Sequence, residues 1–386
     1  MRIVHVVPSY YPAVRYGGPI VAVHGLCRAL AARGHTVDVF TTSIDGATDS
    51  AVPHGVPVSL DAVKVRYFAS PLMRRLSFAP ALVPALRRVL RETDVVHTHS
   101  VFLWPTWAAA RLCRRAQVPY VASPRGMLVQ DLIKVRNRLI KSAWIALIER
   151  ANLENAAAVH VTSAVEAAEL MKFGWRLRHT AVIPNGIDDI GRAVAGDPSD
   201  DIKRLFGCRP LILFVGRLSW VKALERLLHA FAQTRVGTLA IVGTDEDGLA
   251  PRLTQLARDL NLAGRVCVVP RTVTGIDKEA LLAAATAFVL ASYSESFGNS
   301  VLEAMQRGLP VVVTQEVGAS EVVRQADGGL VVEGDAGAIG RAIAQLAENP
   351  DLARSMGEAG RRHVREHYGW DSVAARMEAL YQSLAQ

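Results

Sequence analysis

Short runs of Val, Ile and Leu alternate with longer helical stretches along this chain, and the alternation runs through twice. The first series opens with "RIVHVV", passes through the helical "GPIVAVHGLCRALAARG" to "TVDVFTT", and continues with "DVVHTH", "YVAS", "AVHVT" and "TAVIP". The second begins after residue 200 with "LILFVG" and continues with "TLAIVG", "RVCVVP", "AFVLAS", "PVVVT" and "GGLVVE". A strand exposed on one face alternates apolar with polar residues, whereas near-continuous apolar runs separated by helices mark parallel strands covered on both faces. Two such series predict an α/β fold of two doubly wound, Rossmann-like parallel-sheet domains, for which 386 residues are enough. The predicted division is residues 1–185, a linker at 186–201, residues 202–368, and an amphipathic terminal helix at 369–386. The stretch "PNGIDDIGRAVAGDPSDD" (184–201) is rich in Pro, Gly and Asp and marks the boundary.

Half of the residues are apolar and 21% are charged, an ordinary globular balance. No apolar run reaches the roughly 18–20 residues of a membrane span; "ALLAAATAFVLAS" (280–292) reads as helix then strand. The N-terminus lacks the long apolar region of a signal peptide and reads as a first strand. Cys27, Cys113, Cys208 and Cys267 are scattered, which suits free thiols in a reducing cytoplasm. Charge is uneven: residues 1–190 hold 23 Lys and Arg against 13 Asp and Glu, net +10, and the remainder 21 against 23, net −2. A basic first half predicts an anionic partner there: nucleic acid, an anionic membrane surface or a phosphorylated substrate.

In open parallel sheets ligands bind beyond the carboxyl ends of the strands, so the loops there are the places to look. In "SYSESFGNSVLEAMQRGLPVVVT" (292–314) a strand leads through a glycine turn into a helix, with Glu295 before the turn and Glu303 about one helical turn inside. N–H groups at a helix start, with a glycine that allows close approach, favour phosphate. A carboxylate at the depth of Glu303 suits sugar hydroxyls, and Glu295 can serve a second polyhydroxylated group. In "LFVGRLSWVKALERLL" (213–228) Arg217 and Lys222 leave a strand end as two fixed cations matched to a diphosphate. Gly17 and Gly18 sit at a βα turn before Pro19, without the G-x-G-x-x-G spacing of dinucleotide sites. His97 and His99 alternate at the end of "DVVHTH", hence on one sheet face, and Arg125 stands just beyond another strand in "SPRGM". The Asp-x-Asp of "GTDEDG" (243–248) has a spacing that can hold a divalent ion, but acidic residues at a helix start are favoured by the dipole alone, and no third ligand stands near "HTH". No metal is expected.

These constellations, in this order, resemble the retaining GT-B glycosyltransferases of family GT4. "ESFGNSVLE" matches the family's Glu-x7-Glu motif, and "GRLSWVK", "VIPNGID", the glycine pair and the terminal "YGWDSVAARMEALYQSL" agree in order. The resemblance covers nearly the whole chain. It implies a second domain that binds a nucleotide sugar: Arg217 and Lys222 on the diphosphate, aided by backbone groups of Phe297, Gly298 and Asn299, with Glu303 on the ribose and Glu295 on the donor sugar. It implies Gly17 and Gly18 facing the phosphates or acceptor, His99 reaching the donor sugar near the reacting centre, and a last helix crossing back onto the first domain. Transfer with retention, without metal or other cofactor, is implied, the two cations assisting departure of the leaving group. Three positions depart from the family: Ala223 follows the clamp lysine where glycine is usual, Pro270-Arg271 stands where a glycine is common, and Arg125 replaces a histidine, a contact to acceptor or donor.

The expectation is a cytoplasmic glycosyltransferase, peripheral to the inner face of the plasma membrane, that uses a UDP-, GDP- or ADP-sugar. Its acceptor would be a glycan or lipid-linked glycan in bacterial cell-surface polysaccharide synthesis. Basic segments at 70–90 (Arg74, Arg75, Arg87, Arg88) and 131–150 (Lys134, Arg136, Arg138, Lys141, with Trp144) mix cations with apolar residues as an interfacial segment does. The alternatives are a basic nucleic-acid-binding protein, which lacks the aromatic-basic interleaving of single-strand binders, and another GT-B enzyme such as a sugar-nucleotide epimerase.

Overall fold

Each strand series forms its own sheet. The computed structural model describes residues 1–385 except 14, 16, 136, 137, 190–195, 208, 209 and 246, with the backbone course alone at 132, 134, 135 and 138–140. The chain divides into two compact units, residues 1–186 with 370–386, and residues 187–369. The described part of 187–201 therefore belongs to the second unit. Ile187 donates its N–H to the carbonyl of Tyr368 at 2.8 Å, and Ser199 begins the helix Asp200–Lys203.

In the first unit eight strands lie in the order Thr180–Val182, Ala158–Val161, Tyr120–Ser123, Val95–His99, Arg2–Ser9, Thr36–Thr42, Val63–Phe68, Pro57–Leu60. The chain runs outward from Arg2–Ser9 to one side and returns to pair Val95–His99 on the other, so strand order reverses between these two strands. All pairs are parallel except the last, which is antiparallel to Val63–Phe68. That edge hairpin corrects the expectation of an all-parallel sheet. "VKVRYF" alternates apolar with polar, and Asp61 and Ala62, both at positive φ, form the two-residue turn that such hairpins use.

Alternation across the sheet gives two cores. One face packs Ile3, Val7, Val37, Val39, Val95 and Val121 against the helices Gly18–Ala32 and Trp370–Leu384. The other packs Val4, Val6, Phe40 and Val96 against Leu82–Val89 and Trp104–Ala116. The second unit is a six-stranded parallel sheet, ordered Val266–Val269, Thr238–Val242, Leu211–Val215, Ala287–Leu290, Val311–Thr314, Gly329–Val332. It reverses between Leu211–Val215 and Ala287–Leu290, around a single core that includes Phe214, Phe231 and Phe288.

The last helix is keyed into the first unit by Trp370. A Cβ on Gly25 would stand 2.2 Å from a Trp370 ring carbon, and one on Gly186 would stand 2.5 Å from another. Two glycines, one within a helix and one in "VIPNGID", thus make the notch that this indole fills. Helix propensity alone would make Gly25→Ala stabilising by about 1 kcal/mol. The clash reverses the sign, so Gly25→Ala and Gly186→Ala should each cost roughly 1–3 kcal/mol. Urea unfolding is the measurement. In a Trp370→Leu background either alanine should cost less, and equal costs in both backgrounds would refute the notch.

Candidate functional site

The residues singled out in the second unit gather at the carboxyl ends of its two switch-point strands. Strand Leu211–Val215 exits through Gly216 to the exposed Arg217. Gly243, at the end of the neighbouring strand, presses so closely on Gly216 that a Cβ would lie 1.8 Å from its carbonyl oxygen. The 3₁₀ turn Trp220–Lys222 follows, and Ala223 starts the helix Leu224–Phe231 in the left-handed conformation (φ 52°, ψ 38°). Glycine adopts that conformation without a Cβ penalty, so Ala223 carries the strain that the usual glycine avoids.

Strand Ala287–Leu290 exits into the loop of Glu295. Tyr293 donates its N–H to the carbonyl of Val221 at 2.8 Å, tying this loop to the turn of Lys222, and Lys222 Nζ is ion-paired with Glu295. Both side chains are less than one-fifth exposed, so neither charge is fully solvated. Glu295 is also held through its backbone, accepting from Gly318 N–H at 2.8 Å. Phe297 points into the core, and Gly298 (φ 96°) opens the helix Asn299–Gln306. A side chain on Gly298 would meet Leu290 and Val317 as well as the conformational penalty. On that helix Glu303 pairs with Lys278 at 2.7 Å. The sequence did not signal Lys278 as a candidate, because its partner lies on another helix.

Arg271 and the Asp-x-Asp segment both have partners within the unit. Arg271 donates to Asp201 and Asp277, at 2.9 and 2.8 Å, and to the Ser199 hydroxyl at 2.6 Å. It therefore fastens the loop after Val266–Val269 to the helix Asp200–Lys203. Both carboxylates are held below their usual range, Asp201 chiefly by Arg271 and Asp277 chiefly by the Ser199 N–H. Asp245 accepts from the N–H groups of Leu249 and Ala250, at 2.7 and 2.9 Å, so it caps the helix Ala250–Asp259. Glu246 lies outside the described residues, as do Cys208 and the side chains of Lys134, Arg136 and Arg138.

In the first unit Gly17 (φ 68°, ψ −134°) occupies a conformation reserved for glycine and begins the helix Gly18–Ala32. His97 and His99 do share one face, their ring centroids 4.0 Å apart, and both are buried. They belong to a polar layer under the last helix that includes His5, His160 and Tyr381. The end groups fix its tautomers. His160 Nε2 meets the Ile183 carbonyl at 2.8 Å, which only accepts, so Nε2 carries the proton and Nδ1 is bare. His97 Nε2 must then donate to His160 Nδ1, 3.3 Å away, and the Tyr381 hydroxyl donates to His97 Nδ1 at 2.6 Å. On the other branch Arg125, which only donates, reaches His99 Nδ1 at 3.0 and 3.3 Å through Nη2 and Nε. His99 Nε2 donates to His5 Nδ1 at 2.9 Å, and His5 Nε2 is left without a partner.

Both ring nitrogens of His99 are thus engaged, and the group in front of it is the half-buried Arg125. Arg125 also donates to the side-chain oxygen of Asn185 at 2.8 Å. Sequence reasoning missed His5, His160, Asn185 and Tyr381. Alternation within "RIVHVV" placed His5 on this face, but nothing local pointed to Tyr381. Ligand atoms of His5, His97 and His99 lie within 4.8 Å of one another. A cation there would sit against the guanidinium of Arg125 and would break hydrogen bonds already made, so the donor set does not fit one.

Burial lowers His5 and His160 from the ordinary imidazole value of 6.5 to about 3, with the charge of Arg125 adding to it. His97 and His99 are lowered for the same first reason. The unfolded chain takes up protons on these rings below pH 6.5 while the folded protein does not. Their contribution to stability is therefore complete above 6.5 and drains away toward pH 3, at up to about 1.4 kcal/mol per pH unit for each proton. The urea midpoint should fall between about pH 7 and about pH 5, and an unchanged midpoint would contradict this account.

Two family profiles match the chain: Glycosyl transferases group 1 over residues 198–363 and Glycosyl transferase 4-like domain over residues 17–186. A D-inositol 3-phosphate glycosyltransferase of Geodermatophilus obscurus is 30% identical over 414 residues, spanning 99% of this chain and 88% of that protein. Sucrose-phosphate synthase from Thermosynechococcus elongatus has a similar structure, with a TM-score of 0.77 and 25% identity over 100% of this chain and 99% of that one. HepE of Anabaena, solved in complex with UDP and glucose, has a TM-score of 0.76 and 21% identity over 99% and 100%.

Proposed function

Because the chain belongs to the group 1, GT4-like glycosyltransferases of GT-B fold, we propose that it transfers a sugar, with retention and without metal, from a nucleotide-diphosphate sugar to a glycan or lipid-linked glycan. The observation that carries this reading is the meeting of Lys222 and Glu295 at the switch point of the second sheet, beside a glycine-opened helix. Arg217 and Lys222 offset the charge of the donor diphosphate. The N–H groups at the start of Asn299–Gln306 take phosphate oxygens. Glu295 accepts from hydroxyls of the donor sugar, and Glu303 from the ribose. As the bond between the anomeric carbon and the diphosphate oxygen breaks, charge grows on the leaving group, and the two cations stabilise it. HepE, with UDP and glucose bound, supports a nucleotide-sugar donor.

Thermal stability with UDP, GDP or ADP, followed by donor hydrolysis with the corresponding sugars, tests the donor. Protection by none of the three would overturn it. Lys222→Ala and Glu295→Ala should each lower transfer by at least about 100-fold, in variants whose circular dichroism is unchanged. Activity should survive EDTA. Loss with EDTA and recovery with Mg²⁺ or Mn²⁺ would show that the cations do not suffice.

The acceptor reading, in cell-surface polysaccharide synthesis, places the protein at the cytoplasmic face of a membrane. No described helix is long and apolar enough to cross one. Helix Leu82–Val89 buries Leu82 and Leu86 and leaves Arg87 and Arg88 exposed, as an ordinary packed helix does. The loop before it is different: Leu72 and Met73 are 66% and 62% exposed next to the exposed Arg75, while Arg74 pairs with Asp49. This loop is the better interfacial element. Co-sedimentation with anionic vesicles should exceed that with neutral ones and weaken with salt. Leu72→Ser with Met73→Ser should reduce it, and equal binding to both lipids would count against docking.

A further inference from the structure

Among the described residues Arg125 is ion-paired with no carboxylate. The acid that acts on it electrostatically is Glu166, and Glu166 is committed elsewhere. One of its oxygens accepts the N–H of Gly126 at 2.5 Å, and the other accepts from the N–H and hydroxyl of Thr162 at 2.7 Å. A half-buried guanidinium without a directly paired carboxylate is costly, because it has shed water and Glu166 acts on it without touching it. The backbone beneath it is also constrained: Arg125 is left-handed, at φ 55°, and Gly126 follows at φ 74°. Glu166 holds that turn through the N–H of Gly126. Strain maintained by surrounding structure marks a side chain held for use.

The guanidinium is aimed by its partners. Nε and Nη2 donate to His99 Nδ1, and Nη1 donates to Asn185. Of the five N–H bonds of an arginine, one on each Nη nitrogen remains. Arg125 stands two residues beyond the strand Tyr120–Ser123, whose Ser123 is paired with His99. It is therefore at the carboxyl edge of the sheet, where open parallel sheets take ligands.

We propose that Arg125 is the anion-recognition residue of the first unit and binds a phosphate or carboxylate group of the acceptor, with His99 and Asn185 as the positioning residues that orient it. The inference rests on the glycosyltransferase reading for the word acceptor. The anion site itself stands on the geometry of the first unit. A planar fork suits the oxygens of either group, which a lysine would meet only as a point charge.

The test uses the full chain with saturating UDP, so that the diphosphate clamp of the second unit is occupied. Inorganic phosphate, methyl phosphate, glucuronate and uncharged glucose are titrated at constant ionic strength, and binding is read by calorimetry and thermal shift. Wild type should bind one of the anions saturably and glucose not at all; preference for methyl phosphate or for glucuronate identifies which anionic group the acceptor carries. Arg125→Gln should weaken that binding by at least about tenfold, with Arg125→Lys between the two, and both variants should unfold cooperatively without ligand. Equal anion binding by wild type and Arg125→Gln would overturn the proposal. So would anion binding that UDP abolishes, since the anion would then belong to the donor clamp, and so would no saturable anion binding by wild type. The UDP shift itself is read in parallel. Its absence would sink the donor assignment while leaving the comparison of anions between wild type and variant intact.

Discussion

Reversal of strand order beside one central strand is the constraint from which both candidate sites follow. When a parallel sheet is wound outward from Arg2–Ser9 and then resumed at Val95–His99, the two connections leave in opposite directions and open a crevice at the carboxyl ends. The same happens between Leu211–Val215 and Ala287–Leu290. Arg217, Lys222, Glu295 and Arg125 are each delivered by a loop that leaves one of these strands or a close neighbour. The glycines at the exits serve that delivery. Gly243 lets a neighbouring strand approach the carbonyl of Gly216, and Gly298 turns the chain into a helix where no other residue fits well.

The two crevices solve opposite electrostatic problems. In the second unit cation and carboxylate are supplied together: Lys222 with Glu295, Lys278 with Glu303, Arg307 with Glu279. Lys278 and Glu279 are adjacent on one helix, and Glu303 and Arg307 are one turn apart on another, so the two pairs lock these helices in register. A site neutralised in this way is stable without ligand. In the proposed reaction Lys222 turns to the donor diphosphate while Glu295 accepts from sugar hydroxyls. In the first unit the cation has no directly paired carboxylate among the described residues. Arg125 leans on neutral imidazole rather than on a carboxylate, and that leaves its charge for something that arrives from outside.

How much of this was legible in the sequence depends on the range of the interaction. Apolar runs of four or five residues disclose strands locally, so both parallel sheets and the loops that carry Arg217, Lys222, Glu295 and Glu303 were readable. The hairpin of Pro57–Leu60 and Val63–Phe68 was missed because its alternating, half-polar pattern reads as surface, and its turn uses Asp61-Ala62 rather than a glycine. The pairing of Trp370 with Gly25 and Gly186 spans nearly the whole chain. Each of the three looks unremarkable alone. The same holds for Tyr381 and His97, which are 284 residues apart. Ala223 and Arg271 stood out as departures from the family pattern, but their consequences, a left-handed alanine and a clamp to Asp201 and Asp277, appear only with backbone angles and partners in hand.

The buried histidines show why residue type is a poor guide to role. Four imidazoles beneath a terminal helix look like catalytic or metal chemistry. Their partners hold each of them in one place. A carbonyl at one end of the layer can only accept, and a guanidinium at the other can only donate. Between those limits each neutral ring has one arrangement that satisfies its neighbours, and the two branches run from Tyr381 to Ile183 and from Arg125 to His5. A second proton on His160 would set two N–H groups against each other across the 3.3 Å contact, and one on His97 would fall on Nδ1, against the Tyr381 hydroxyl that now donates to it, so the layer resists charging. His99 in turn gives Arg125 a fixed acceptor that carries no charge. A carboxylate in its place would hold the guanidinium as firmly but would cancel the field that an anionic group is bound by. Neutral imidazole holds the arginine still and leaves it positive.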